Sequence, residues 1–122
     1  MSQDPITLVL GASPNPRRFA FLAIHKLVAA GHTVYAVGNR RGEVAGQPIH
    51  RELPKNRPID TVTLYLNPQR QAAYHEALLN LQPRRIIFNP GTENPALAKA
   101  AAEKGIETIN ACTLVMIASQ TY

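Results

Sequence analysis

The chain has 122 residues, 45% apolar and 17% charged, which suits one soluble domain over residues 1–122 with its own core and leaves no room for a second. No apolar run reaches the length of a membrane span and the amino end, MSQDP, lacks the basic and apolar regions of a secretory signal, so the expected location is the cytoplasm. A single cysteine excludes an internal disulfide, no His or Cys spacing suits a metal, and thirteen Lys and Arg against eight Asp and Glu, a net charge of +5, call for an anionic partner.

The first element is the apolar run Ile6 to Leu10, which reads as a strand buried on both faces. Gly11 supplies a sharp exit from the sheet, and the small Ala12 and Ser13 let a ligand approach the main chain. Asn15 and Pro16 read as the cap and first turn of a helix whose apolar face uses Phe19, Leu22, Ala23, Leu27 and Ala30, with Gly31 ending it. The β-branched and aromatic stretch Thr33 to Val37 is a second strand, so close behind the helix that the three elements form a right-handed parallel crossover.

Residues 38–58 are rich in Gly, Pro and charge and read as a long loop with one short extended piece around Gln47 to His50. Asp60 to Leu66 follows as a third main strand. Asn67 and Pro68 then cap and start a helix to about Leu81, its buried face built from Ala72, Ala73, Ala77, Leu78 and Leu81. Arg85 to Phe88 is a fourth strand, Asn89-Pro90-Gly91 a turn, Asn94-Pro95 the start of a helix ended by Gly105, and Ile106 to Asn110 a fifth strand; Cys112 to Ala118 closes the chain as a short helix. This alternation predicts an α/β fold, a Rossmann-like three-layer sandwich with a five-stranded, mainly parallel sheet of order 3-2-1-4-5.

Ligands of such sheets bind at the carboxyl ends of the strands, which here carry four loops. The first combines Gly11, Ala12 and Ser13 with a helix start and the guanidinium groups of Arg17 and Arg18, a phosphate cradle. The second offers Asn39, Arg40 and Arg41 where an NAD binder places an acidic residue on the ribose; a guanidinium suits a phosphorylated ribose instead, as in coenzyme A or NADP. The third contributes Asn67 and Pro68, the fourth Asn89, Pro90 and Gly91. The basic residues are spread over loops and helix ends with no basic helix or aromatic platform, which argues for a small nucleotide ligand rather than a nucleic acid.

These residues, in this order, resemble the small single-domain CoA-binding proteins whose fold is similar to the CoA-binding domain of succinyl-CoA synthetase α subunits. The likeness rests on Gly11-Ala12-Ser13-Pro14 with Arg18 downstream, the turn from Ala29 to Val34, Val37 leading to Asn39-Arg40, Gly46 before an extended piece, Ile59-Asp60-Thr61-Val62, Pro90-Gly91 with Glu93-Asn94, and Gly105-Ile106 leading to Cys112. Gly38-Asn39 stands where the family often has Asn-Pro, and Phe88-Asn89-Pro90 where it commonly has Trp and Gln before a glycine. The resemblance implies that the first loop meets the diphosphate, the second the phosphorylated adenosine, and the later loops the adenine or pantetheine portions.

No catalytic residue is identified. Cys112 lies in apolar sequence, the four histidines have no orienting carboxylate, and Ser13 lacks a glycine-flanked elbow; its expected task is to donate to a phosphate. The sequence therefore points to a stand-alone, non-catalytic module that binds CoA or an acyl-CoA as a carrier, sensor or subunit. The alternative is an NADP-binding oxidoreductase. A homodimer through a sheet edge or the carboxyl-terminal apolar segment is left open.

Overall fold

The computed structural model describes residues 5–122. Seven strands form one sheet: β1 (Ile6–Leu10), β2 (Thr33–Val37), β3 (Glu43–Val44), β4 (Gln47–His50), β5 (Thr61–Leu64), β6 (Arg85–Phe88) and β7 (Glu107–Asn110), in the order β3-β4-β2-β1-β5-β6-β7. All pairs are parallel except β3 with β4, a hairpin whose two turn residues, Ala45 and Gly46, both have positive φ as a two-residue turn of this kind requires. The Rossmann-like α/β class holds.

The expected five-stranded sheet and its 3-2-1-4-5 order need correction. The extended piece at Gln47–His50 is a true parallel neighbour of β2, pairing Ala36 with Ile49 and Val37 with His50, so it takes the place assigned to the strand after Asp60. That strand, β5, pairs with β1 on the opposite side, from Thr7 with Thr61 to Leu10 with Leu64. Burial explains the exchange. Every residue of β5 is buried, which demands a central position, whereas β4 alternates between exposed and covered as a strand near the margin does.

The helices are α1 (Phe19–Ala29), α2 (Pro68–Gln71), α3 (His75–Leu81), α4 (Pro95–Glu103) and α5 (Thr113–Ala118), with a single 3-10 turn (Ala72–Tyr74) between α2 and α3. The side chains of β1 alternate between two cores. Ile6, Leu8 and Leu10 pack with Val62, Leu64, Leu78, Ile86, Phe88 and Leu97 under α3 and α4, while Val9 joins Ala20, Ile24, Leu27 and Ile49 under α1. At roughly 25 cal/mol for each Å² of apolar surface removed from water, these two cores are the main stabilising term.

Two helix faces differ from the sequence expectation. In α1 the face packed on the sheet is Ala20, Ala23, Ile24 and Leu27, while Phe19 and Leu22 are exposed; the helix begins at Phe19 with Arg18 as its N-cap and not at Pro16. After Asn67 the expected continuous helix is broken by the 3-10 turn, which rotates Ala72, Ala73 and Ala77 to the surface and buries Gln71, Leu78 and Leu79. The caps at Asn67 and Asn94 are as expected, each side chain accepting from the backbone N–H three residues on.

At the amino end of the sheet, the Asp60 carboxylate accepts from Arg84 Nε at 3.0 Å and Nη2 at 3.1 Å and from the Thr61 hydroxyl at 2.7 Å. The Arg84 guanidinium holds the Asp60 carboxyl below its ordinary value of 3.8, burial opposing it in part. A carboxyl lowered by folding stabilises above its unfolded pKa and loses that contribution as the pH falls through the folded one. Asp60→Asn should therefore lower stability in urea denaturation at neutral pH by up to about 1 kcal/mol, the range of a partly exposed pair, and the gap to the unaltered protein should narrow in acid.

Candidate functional site

The chain leaves β1 toward β2 and returns from β4 to β5, so the order of strands reverses between β1 and β5, and a cleft of about 740 Å³ opens there at their carboxyl ends. Its floor is the exit of β1, Leu10 to Ser13. One wall is the start of α1 at Arg18, Phe19 and Ala20, and one end is the loop after β2, Gly38 to Arg40. The facing wall is built from Tyr65 and Leu66 after β5, Gln69 and Arg70 of α2, and Ala73 and Tyr74 of the 3-10 turn, with Pro90 and Thr92 beyond them.

Close main-chain contact shapes the floor. The Val37 carbonyl accepts from both the Gly11 and the Ala12 amides at 2.9 Å, tying the exit of β1 to the end of β2. Gly11 has φ +100°, and a Cβ there would meet the Tyr65 carbonyl carbon at 2.9 Å. A Cβ on Gly38 would lie 2.1 Å from the Ala12 carbonyl oxygen, so that position admits glycine alone. Ser13 Oγ accepts from the Asn15 amide at 3.1 Å, which leaves its own proton to donate. The Asn15 side chain in turn accepts from the Arg17 amide at 3.0 Å, closing a turn before the helix. Among the described residues the Ser13, Phe19 and Ala20 amides have no hydrogen-bond acceptor. They are the free donors of the first loop and α1, beside the positive end of that helix, and the Asn39, Arg40, Leu66 and Gln69 amides of the lining are likewise without an acceptor among the described residues.

Arg18, Arg40 and Arg70 line the cleft, and among the described residues no Asp or Glu does. Among the described residues the one salt bridge is that of Arg84 with Asp60, at the other end of the sheet, so none of the three has a carboxylate partner. Tyr65 adds a hydroxyl enclosed beside Thr63 and Thr113, which bond to each other at 2.8 Å and leave it without a partner. Burial pushes its pKa up to about 12, so it carries its proton at any physiological pH.

Of the residues singled out from sequence, Gly11, Ala12, Ser13, Arg18, Asn39, Arg40 and Pro90 come together in the cleft. Arg17 and Arg41 are exposed and outside its lining. Asn67 caps α2 and Pro68 begins it, both beyond the lining. Asn89 is 2% exposed, donates to the Thr63 hydroxyl and the Leu64 carbonyl and accepts from the Thr113 amide, all within 2.9 Å. Gly91 turns its amide to the Glu93 carboxylate. Of the facing wall, the helical part was missed from sequence: Gln69, Ala73, Tyr74 and above all Arg70. Its signal was present in the helix cap at Asn67-Pro68, because a helix beginning at a strand's carboxyl end sets its first turn against the cleft.

That wall is braced from below. Gln71, 1% exposed, donates to the Leu66 carbonyl at 2.8 Å and the Thr92 carbonyl at 2.7 Å and accepts from the Asn94 side chain at 2.9 Å. One amide thus links the loops after β5 and β6, and its potential partners are satisfied as burial demands.

A family model described as CoA binding domain matches residues 6–118, from the first residue of β1 to the last of α5. The chain belongs to that family. No curated protein matches the sequence. Among solved structures, an uncharacterised protein is 45% identical with a TM-score of 0.93, the match covering 99% of this chain and 100% of that one. A hypothetical protein from Pyrococcus horikoshii OT3 is 28% identical with a TM-score of 0.83, covering 97% of this chain and 83% of that one. The same fold recurs at 14% identity and a TM-score of 0.72 in an acetyl-coenzyme A synthetase from Ca. Korarchaeum cryptofilum, where 87% of this chain overlies 25% of that one. The family match takes in both walls of the cleft. Gly38→Ala should displace the Ala12 carbonyl and with it the cleft floor, at a cost of about 1–3 kcal/mol as for other forced overpacking, measured by urea denaturation.

Proposed function

We propose that this protein is a stand-alone, non-catalytic module that holds coenzyme A or an acyl-CoA in the cleft between α1 and α2. The observation that carries this reading is the charge of the lining: three arginines, at the start of α1, in the loop after β2 and on α2, which among the described residues have no carboxylate partner and no acidic neighbour in the lining. The diphosphate would lie at the start of α1, on the Ser13, Phe19 and Ala20 amides with Arg18 beside it. The ribose phosphate of the adenosine would lie over Asn39 and Arg40 at the end of β2, where a carboxylate would repel it.

A binding role is supported by what lines the cleft. Among the described residues the lining contains no His, Cys, Lys, Asp or Glu, and the Tyr65 hydroxyl, raised to about 12, stays protonated. NADP offers a phosphorylated ribose as well and is the competing ligand to test.

Isothermal titration of the full chain with CoA, dephospho-CoA, NADP and NAD separates these readings. CoA should bind at least tenfold more tightly than dephospho-CoA, since a charge-assisted phosphate contact contributes about 1.5–3 kcal/mol. Arg40→Ala should abolish that preference, whereas Arg41→Ala, outside the lining, should keep most of it. Equal affinity for CoA and dephospho-CoA, or tighter binding of NADP, would defeat the proposal.

A further inference from the structure

The two cationic contacts assigned above, Arg18 and Arg40, both belong to the β1 and β2 side of the cleft. Arg70 stands on the other side, on the first helix after β5. It is exposed and lies on a well-anchored segment: its own amide donates to the Asn67 side chain at 2.9 Å, and the next residue, Gln71, is the buried amide that ties the loops after β5 and β6 together. A guanidinium on so constrained a backbone can be aimed with little loss of freedom beyond its own side chain. The lining on that side combines Gln69, Tyr74 and Thr92, which carry hydrogen-bonding groups, with the smaller apolar surfaces of Leu66, Ala73 and Pro90. Burying Arg70 under an uncharged apolar group would strip its hydration and return nothing.

We infer that Arg70 is a third oxyanion contact, so that the ligand is gripped from the α2 wall as well as from α1 and the β2 loop. This rests on the binding reading above and extends it to the ligand's chemistry: an anionic group lies over α2. Two parts of such a ligand supply that chemistry. One is the diphosphate itself, held between Arg18 and Arg70 from opposite walls; the other is a carboxylate at the far end of an acyl group, as in the CoA thioester of a dicarboxylic acid.

Titration of the unaltered chain and of Arg70→Gln with CoA, propionyl-CoA, malonyl-CoA and inorganic diphosphate tests the inference, with thermal melting as a check on folding. If Arg70 faces the diphosphate, the substitution weakens all four probes at least fivefold and flattens the salt dependence of binding. If it faces an acyl carboxylate, the unaltered chain prefers malonyl-CoA to propionyl-CoA at least fivefold and the substitution removes that preference alone. Arg70→Lys, which keeps the charge without the fork, should restore part of the loss in either case. Unchanged affinity of Arg70→Gln for every probe overturns the inference, as does a loss that tracks a lowered melting temperature. An unaltered chain that binds diphosphate but not CoA sinks the CoA reading alone, and Arg70→Gln then still reports on Arg70 through diphosphate; failure to bind any probe sinks both.

Discussion

One carbonyl oxygen, that of Val37, governs the geometry of the cleft. By accepting from the Gly11 and Ala12 amides together it turns the chain out of β1 across the end of β2, and this is feasible only because Gly38, the next residue, has no Cβ to strike the Ala12 carbonyl. With those two amides consumed, the free donors begin at Ser13 and continue at the start of α1. The contact between two strand ends thereby decides which part of the loop meets a ligand.

The remaining loops are held by buried amide side chains. Asn89 joins β5, β6 and α5, and Gln71 joins the loops after β5 and β6, each with its donors and acceptors matched inside the protein. A buried polar group is costly when unpaired and directional when paired, so these two residues fix loop positions that apolar packing would leave loose. The arginines of the cleft are treated in the opposite way. Among the described residues they have no carboxylate partner, on an otherwise pinned framework.

The loop from residue 38 to residue 58 shows where reading the chain in order succeeds and where it stops. Its extended piece at Gln47–His50 was visible, but its rank as a strand was not, since a four-residue segment interrupted by Pro48 has too little pattern of its own. What makes it a strand is the open edge of β2, and recognising that edge requires knowing which side of β1 the next strand takes. The same limit applies to α1. Phe19 and Leu22 lie on a regular apolar spacing with Ala23 and Leu27, and only the docking of α1 through Ala20, Ile24 and Leu27 leaves them in solvent.

Properties carried by neighbouring residues were decided by the sequence alone: the strand into Gly11, the caps at Asn67 and Asn94, the alternation that implies a parallel sheet, and the basic character of the loop after the second strand. Strand order, helix rotation, the internal role of Asn89 and the arrival of Arg70 beside the cleft belonged to the tertiary structure. The division has a physical cause. Backbone propensity and capping act over three or four residues, whereas burial and hydrogen-bond matching are settled between segments tens of residues apart, and only after the chain has committed each strand edge and helix face to a partner.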